Sequence, residues 1–264
     1  MENPVVAGVL VALIVPFLGN TLGAALVFLM RHGMSERFTK ALLGFAAGVM
    51  IAASVWSLIT PALEAAEGGP VPAWAPAAVG FLGGMLLLLA IDHFTPHLHV
   101  GSDEPEGPVT MLKKPTMMLF ALAIHNLPEG MAVGVVLAGF LAGDPTITLA
   151  SVVALSLGIA IQNVPEGAVV SLPLTANGMS RPKAFLAGTL CGAVEPVGAV
   201  LMVAITGLVT PLLPYVLAFA AGAMMYVVTE ELIPQTQQGR HTNIGTIGVA
   251  FGFVLMMVLD VALG

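Results

Sequence analysis

Charge is what this chain has least of. Eight Lys and Arg and fifteen Asp and Glu make up only 9% of 264 residues, where soluble domains carry about a quarter. With 58% hydrophobic residues and a mean hydropathy of +0.99, a water-soluble fold is excluded. Cysteine is almost absent too. Cys191 stands alone, so no intrachain disulfide can form and no set of cysteine thiolates can build a closed structural zinc site; the residue reads as a small apolar filler. The net charge of −7 gives no basic surface for nucleic acid. No His-Glu-x-x-His signature occurs, and no polar stretch is long enough for a soluble domain. The first 30 residues lack a basic leader and a small-residue cleavage site, so they read as a first helix rather than a removable signal.

What is present is a series of apolar runs about 20 residues long, the length a helix needs to cross roughly 30 Å of hydrocarbon. The expected spans are 5–30, 39–63, 75–98, 115–140, 147–174, 182–208, 211–234 and 243–263. These runs are continuously apolar rather than alternating, which excludes a membrane β-barrel. The fold class is therefore all-α, a polytopic membrane protein of eight transmembrane helices forming one domain over 1–264. Arg31, Arg37, Lys40, Lys113, Lys114, Arg181, Lys183 and Arg240 all fall on one side of this scheme. The positive-inside bias makes that side cytoplasmic and puts both termini outside. Small-xxx-small pairs recur at Gly19/Gly23, Gly44/Gly48, Gly80/Gly84, Gly130/Gly134, Gly188/Gly192 and Gly248/Gly252, the spacing that lets helix backbones approach closely in lipid.

Two hexapeptides stand out against this background. His125-Asn126-Leu127-Pro128-Glu129-Gly130 and Gln162-Asn163-Val164-Pro165-Glu166-Gly167 lie 37 residues apart and read as the only strong internal similarity. Each falls inside a predicted span, and a carboxylate in the bilayer core is costly enough to mark function. A rise of 1.5 Å per residue puts Glu129 about 21 Å along its helix and Glu166 about 28 Å along the antiparallel neighbour, so the two motifs meet near mid-membrane. Glu195 and Met50 reach similar depths. The i,i+3 and i,i+4 spacings let His125, Asn126 and Glu129 share one face, and likewise Gln162, Asn163 and Glu166. Pro128 and Pro165 each free a backbone carbonyl, which in lipid needs another partner.

Glu129, Glu166 and Glu195 would place three negative charges at the midplane with no Lys or Arg to offset them. One divalent cation reduces that to one, and two reverse it to a single positive charge. Imidazole nitrogen and thioether sulfur favour zinc, cadmium or ferrous iron over magnesium and calcium.

These motifs closely resemble those of the ZIP (Zrt-/Irt-like) family of divalent metal transporters, in particular its bacterial GufA-like branch. The eight-helix plan matches as well, so the resemblance covers the whole chain. It implies a binuclear site in which Met50, His125, Glu129, Gln162 and Glu166 line one metal and Asn126, Asn163 and Glu195 the second, with Glu129 and Glu166 bridging. It further implies Zn2+ as the transported ion, with Cd2+, Fe2+ or Mn2+ as alternatives, and uptake into the cytoplasm across a bacterial inner membrane. A homodimer embedded in lipid and an elevator-like motion of helices one, four, five and six are implied too. Two positions depart from the common pattern: Gln162 replaces a frequent His and Asn163 an occasional Asp, both less basic, which weakens the second metal position.

Other polar groups lie at the edges. Asp92, His93, His97, His99, Glu230 and Glu231 end helices three and seven on the cytoplasmic side, where they form either an exit route or an ordinary helix boundary. Asp103, Glu104 and Glu106 read as a solvated turn. Glu64 and Glu67 lie at the outer end of helix two. The expected function is that of a transporter and not an enzyme. The rival is an intramembrane zinc hydrolase, with a metal activating water; a third reading, a proton or monovalent-cation channel, leaves His125 unexplained.

Overall fold

The computed structural model describes residues 4–30, 34–98, 107–112, 114–176, 178–208, 212–239 and 242–263, with only the backbone described at 114, 115, 118 and 206–208. Eight helices among these residues are long and apolar enough to cross a membrane: α1 Pro4–Phe28, α2 Glu36–Ala65, α3 Trp74–Phe94, α4 Lys114–Ala142, α5 Leu149–Ala176, α6 Arg181–Ile205, α7 Leu213–Gln237 and α8 Ile244–Leu263. Their order and number are those read from the apolar runs. The ends differ by a few residues. α2 starts at Glu36 because the Ser35 hydroxyl accepts from the Phe38 amide at 3.3 Å, a helix N-cap. α3 stops at Phe94 rather than 98, since Thr95 is extended before Pro96, as a residue preceding proline prefers. Arg31, His99, Asp103, Glu104, Glu106, Lys113 and Arg240 lie outside the described residues, while Arg37, Lys40, Arg181 and Lys183 all sit at one end of the bundle, called here the basic end.

The helices sort into an inner and an outer set. α2, α4, α5 and α7 have 67–72% of their most apolar stretch buried by protein, whereas α1, α3, α6 and α8 have only 17–39%. Each inner helix packs most extensively on one outer partner: α5 on α1, α4 on α6, α2 on α8 and α7 on α3. Glycine makes this packing close. A Cβ at Gly19 would overlap the carbonyl oxygen of Ala160, at Gly48 that of Val249, at Gly84 that of Phe219, and at Gly130 that of Glu195. Without a hydrophobic effect between helices in lipid, such close approach is a main source of association.

Exchanging α1 with α6, α2 with α7, α3 with α8 and α4 with α5 maps this list of pairs onto itself. The bundle therefore has an internal pseudo-two-fold arrangement, a recurrent transporter plan. It also corrects the expectation that the 37-residue repeat is the only strong internal similarity. Phe45-Ala46-Ala47-Gly48 with Met50 in α2 recurs as Phe219-Ala220-Ala221-Gly222 with Met224 in α7, and Gly80, Gly84 and Asp92 of α3 recur at the same spacing as Gly248, Gly252 and Asp260 of α8. Both α2 and α7 then widen into a π-type turn, at Ser54–Ile59 and Val228–Leu232, and each meets a proline just beyond, Pro61 and Pro234. Such turns mark functional positions in many helices.

Candidate metal site

The two motifs meet where α4 crosses α5. One ligand atom from each of His125, Glu129 and Glu166 lies within 4.8 Å of the others, and all three side chains are buried. The Nε2 of His125 stands 3.5 Å from Glu166 Oε1. The amide nitrogen of Gln162 donates to Glu129 Oε1 at 2.6 Å and to Asn163 Oδ1 at 2.7 Å. Asn163 in turn donates to the Pro16 carbonyl of α1 at 3.2 Å. The motif glycines fit the neighbouring helices: Gly130 receives the backbone of Glu195 in α6, and Gly167 that of Asn20 in α1. Helices α1, α4, α5 and α6 thus all contribute to the site.

Buried polar atoms almost always find hydrogen-bond partners. Here a cluster of them does not. Among the described residues, His125 Nε2, both amide atoms of Asn126, Glu129 Oε2, Gln162 Oε1 and both carboxylate oxygens of Glu166 and Glu195 lack one. So many orphaned donor and acceptor atoms in one place are expensive unless a ligand takes them up. Their chemistry, one imidazole nitrogen with several carboxylate and amide oxygens, fits a divalent cation. Met50 is fully buried on α2, in the apolar core that also holds Met131 and Val169.

The structure adds a contact that sequence reasoning missed. Glu231 was placed at a helix boundary, yet its Oε2 lies 2.9 Å from His125 Nδ1, and its Oε1 accepts from Gln235 at 3.2 Å. The wide turn of α7 carries this carboxylate inward. With Nδ1–H donating to Glu231, Nε2 presents its lone pair toward Glu166, the carboxylate–histidine arrangement of metal sites. Nearby, Asp92 receives the Tyr226 hydroxyl at 3.1 Å and contacts His97 at 3.0 Å, and both line a small cavity of about 10 Å³ with Glu230 and Glu231. His93 is elsewhere, exposed and edge-on to Phe94. Glu64 and Glu67 are exposed at the opposite end of the bundle. A larger cavity of about 350 Å³ opens at the basic end and runs past Glu36, Lys40 and Gln235 to Val169, one turn from Glu166.

Comparison with known proteins decides the family. The family model described as ZIP Zinc transporter matches residues 111–260. This chain belongs to the ZIP family of zinc transporters. Curated relatives extend the match beyond those residues. Zinc transporter ZIPB of Bordetella bronchiseptica is 42% identical over 94% of this chain and 79% of its own. Zinc transporter GufA of Myxococcus xanthus is 41% identical over 79% and 81%, and zinc transporter ZIP11 of Xenopus tropicalis is 37% identical over 92% and 93%. The family is one of multi-pass transporters rather than enzymes, and nothing supports the hydrolase alternative.

Proposed function

We propose that this ZIP protein carries divalent metal ions, zinc foremost, across a bacterial inner membrane into the cytoplasm by way of ligands at the centre of the bundle. The observation that carries the reading is the buried triad of His125, Glu129 and Glu166, whose atoms converge within 4.8 Å amid carboxylate oxygens that no hydrogen bond satisfies. A dehydrated cation exchanges its water for these groups, and the unbalanced carboxylates offset the cost of removing it from water.

The family resemblance supports two positions. His125, Glu129, Glu166, Gln162 and the thioether of Met50 hold the better metal; Asn126, Asn163 and Glu195 hold the poorer one, with Glu129 and Glu166 shared. Gln162 weakens the pair, because its amide hydrogens occupy Glu129 Oε1 and Asn163 Oδ1. Inward movement is supported by the basic end, cytoplasmic by the positive-inside bias, where the larger cavity opens. Glu231, Glu230, Asp92 and His97 then line the way out. The mixed nitrogen and oxygen set also admits Cd2+, Fe2+ and Mn2+, to be ranked by competition. The homodimer belongs to the same proposal and is checked by light scattering of the purified protein.

Uptake of radioactive zinc into proteoliposomes tests the reading. Glu129→Ala and Glu166→Ala should reduce uptake to the level of empty vesicles; undiminished uptake in both would sink it. A binding isotherm unchanged by Asn126→Ala and Asn163→Ala removes the second metal position alone.

A further inference from the structure

α6 is not straight. Its helix breaks at Ala193, between Gly192 and Pro196. Beyond the break it lies tight against α4, where Gly130 and Gly134 face Glu195 and Ala199. Before the break the two helices part, and a groove of about 450 Å³ opens between them toward the lipid. Phe120 of α4 and Leu190 of α6 line it, 41% and 60% exposed. Thr116 and Lys183 stand at its mouth, and Val194 closes its inner end. Every other described lining residue is apolar, and none of them carries a carboxylate.

The dimensions are informative. Lys183 and Val194 are 11 residues apart, about 16 Å of helix at 1.5 Å per residue. One leaflet of a bilayer contributes about half of the ~30 Å hydrocarbon core. The groove therefore spans one leaflet, from an ammonium group at headgroup level to an apolar end at the midplane.

We propose that this groove holds one anionic phospholipid of the basic-end leaflet, an acyl chain lying between α4 and α6 and the phosphate meeting Lys183. A zwitterionic lipid offers the same chain without net charge, and a cationic mouth with no carboxylate among its described lining residues selects against it. The bound chain wedges apart the near halves of the two helices whose far halves carry Glu129 and Glu195, so the lipid sets their spacing beside the metal site. The inference rests on the membrane assignment and not on the metal.

The test places a reporter in the groove. Phe120→Trp in the full-length protein is reconstituted with phosphatidylglycerol or phosphatidylcholine, brominated on identical acyl chains, and tryptophan quenching is compared. The signal of Trp56 and Trp74 is subtracted using the chain that keeps Phe120. Phosphatidylglycerol should associate about five-fold more strongly, the factor given by ~1 kcal/mol for one lysine at an anionic lipid surface. That preference should vanish with Lys183→Gln and persist with Arg37→Gln, a cation of the same end outside the groove. Ala187→Leu, which fills the groove, should lower quenching by both lipids. Equal association of the two lipids, or a preference that survives Lys183→Gln, overturns the proposal. Native mass spectrometry of the unsubstituted chain reads the same question without a reporter. One retained phosphatidylglycerol in preference to phosphatidylcholine is expected, and equal retention of both overturns the proposal. Neither readout involves zinc, so failure here leaves the transport reading standing.

Discussion

The imidazole of His125 is held from two sides, by Glu231 at Nδ1 and by Glu166 near Nε2. Partners of this kind orient a ligand ring and raise its basicity, and losing one costs ten- to a hundred-fold in metal affinity. Glu231→Gln should weaken zinc binding by about that factor while leaving thermal stability unchanged; calorimetric titration against a melting curve separates the two. Gln162 makes the opposite prediction. Gln162→His removes an amide donor from Glu129 and supplies an imidazole in its place, so affinity in the same titration should rise several-fold, on the order of 1 kcal/mol for one relieved contact. The motif residues were legible in the sequence because a carboxylate inside a membrane demands an explanation. The part played by Glu231 was not. It lies 106 residues from His125, and a widened helical turn, which no residue pattern announces, brings it inward.

At the scale of a helix, the glycine pairs specify contact. Most substitutions of Gly by Ala inside a helix are favourable by up to ~1 kcal/mol, yet a methyl group at Gly48 or Gly130 would collide with the backbone of a neighbouring helix. Gly48→Ala and Gly130→Ala should each destabilise the protein by about 1–3 kcal/mol, the usual cost of overpacking. Gly83→Ala is the control, since its Cβ would come no closer than 3.4 Å to Phe219 and should be neutral or stabilising. Thermal unfolding in detergent reads all three; equal melting temperatures would mean that these contacts contribute nothing. The spacing of the glycines was plain in the sequence, but which helix each would meet was not, because small-xxx-small pairs name no partner. The repeat shared by α2 and α7 was equally present and harder to see, since its residues are Phe, Ala, Gly and Met, ordinary membrane composition, where Pro-Glu-Gly is not.

Seen whole, the helices form two groups. Hydrogen bonds from Asn20 to Gly188, Asn163 to Pro16 and Gln162 to Glu129 stay within α1, α4, α5 and α6. Those from Ser57 to Asp260 and from Tyr226 to Asp92 stay within α2, α3, α7 and α8. The first four are the helices of the proposed elevator-like motion, and the cavity at the basic end predicts access. With Cys191 replaced by Ala, a cysteine at Val169 should react with a membrane-impermeant thiol reagent applied at the basic end and not at the other. Bound zinc should slow the reaction. Labelling from the opposite side alone would reverse the proposed direction of the cavity. Helix count could be read from hydropathy, whereas the grouping of the helices emerges only once they are packed.

The contact between His125 and Glu231 runs from one group to the other. Its 2.9 Å length tolerates little sliding, since N–H···O bonds span only about 2.7–3.2 Å. Any displacement of α4 along α7 by even one helical rise, about 1.5 Å, would strip the imidazole of its orienting carboxylate. On the proposed reading, in which α1, α4, α5 and α6 move together, grip on the ion would depend on position along that movement: firm where the His125–Glu231 bond is made, loose where it is broken.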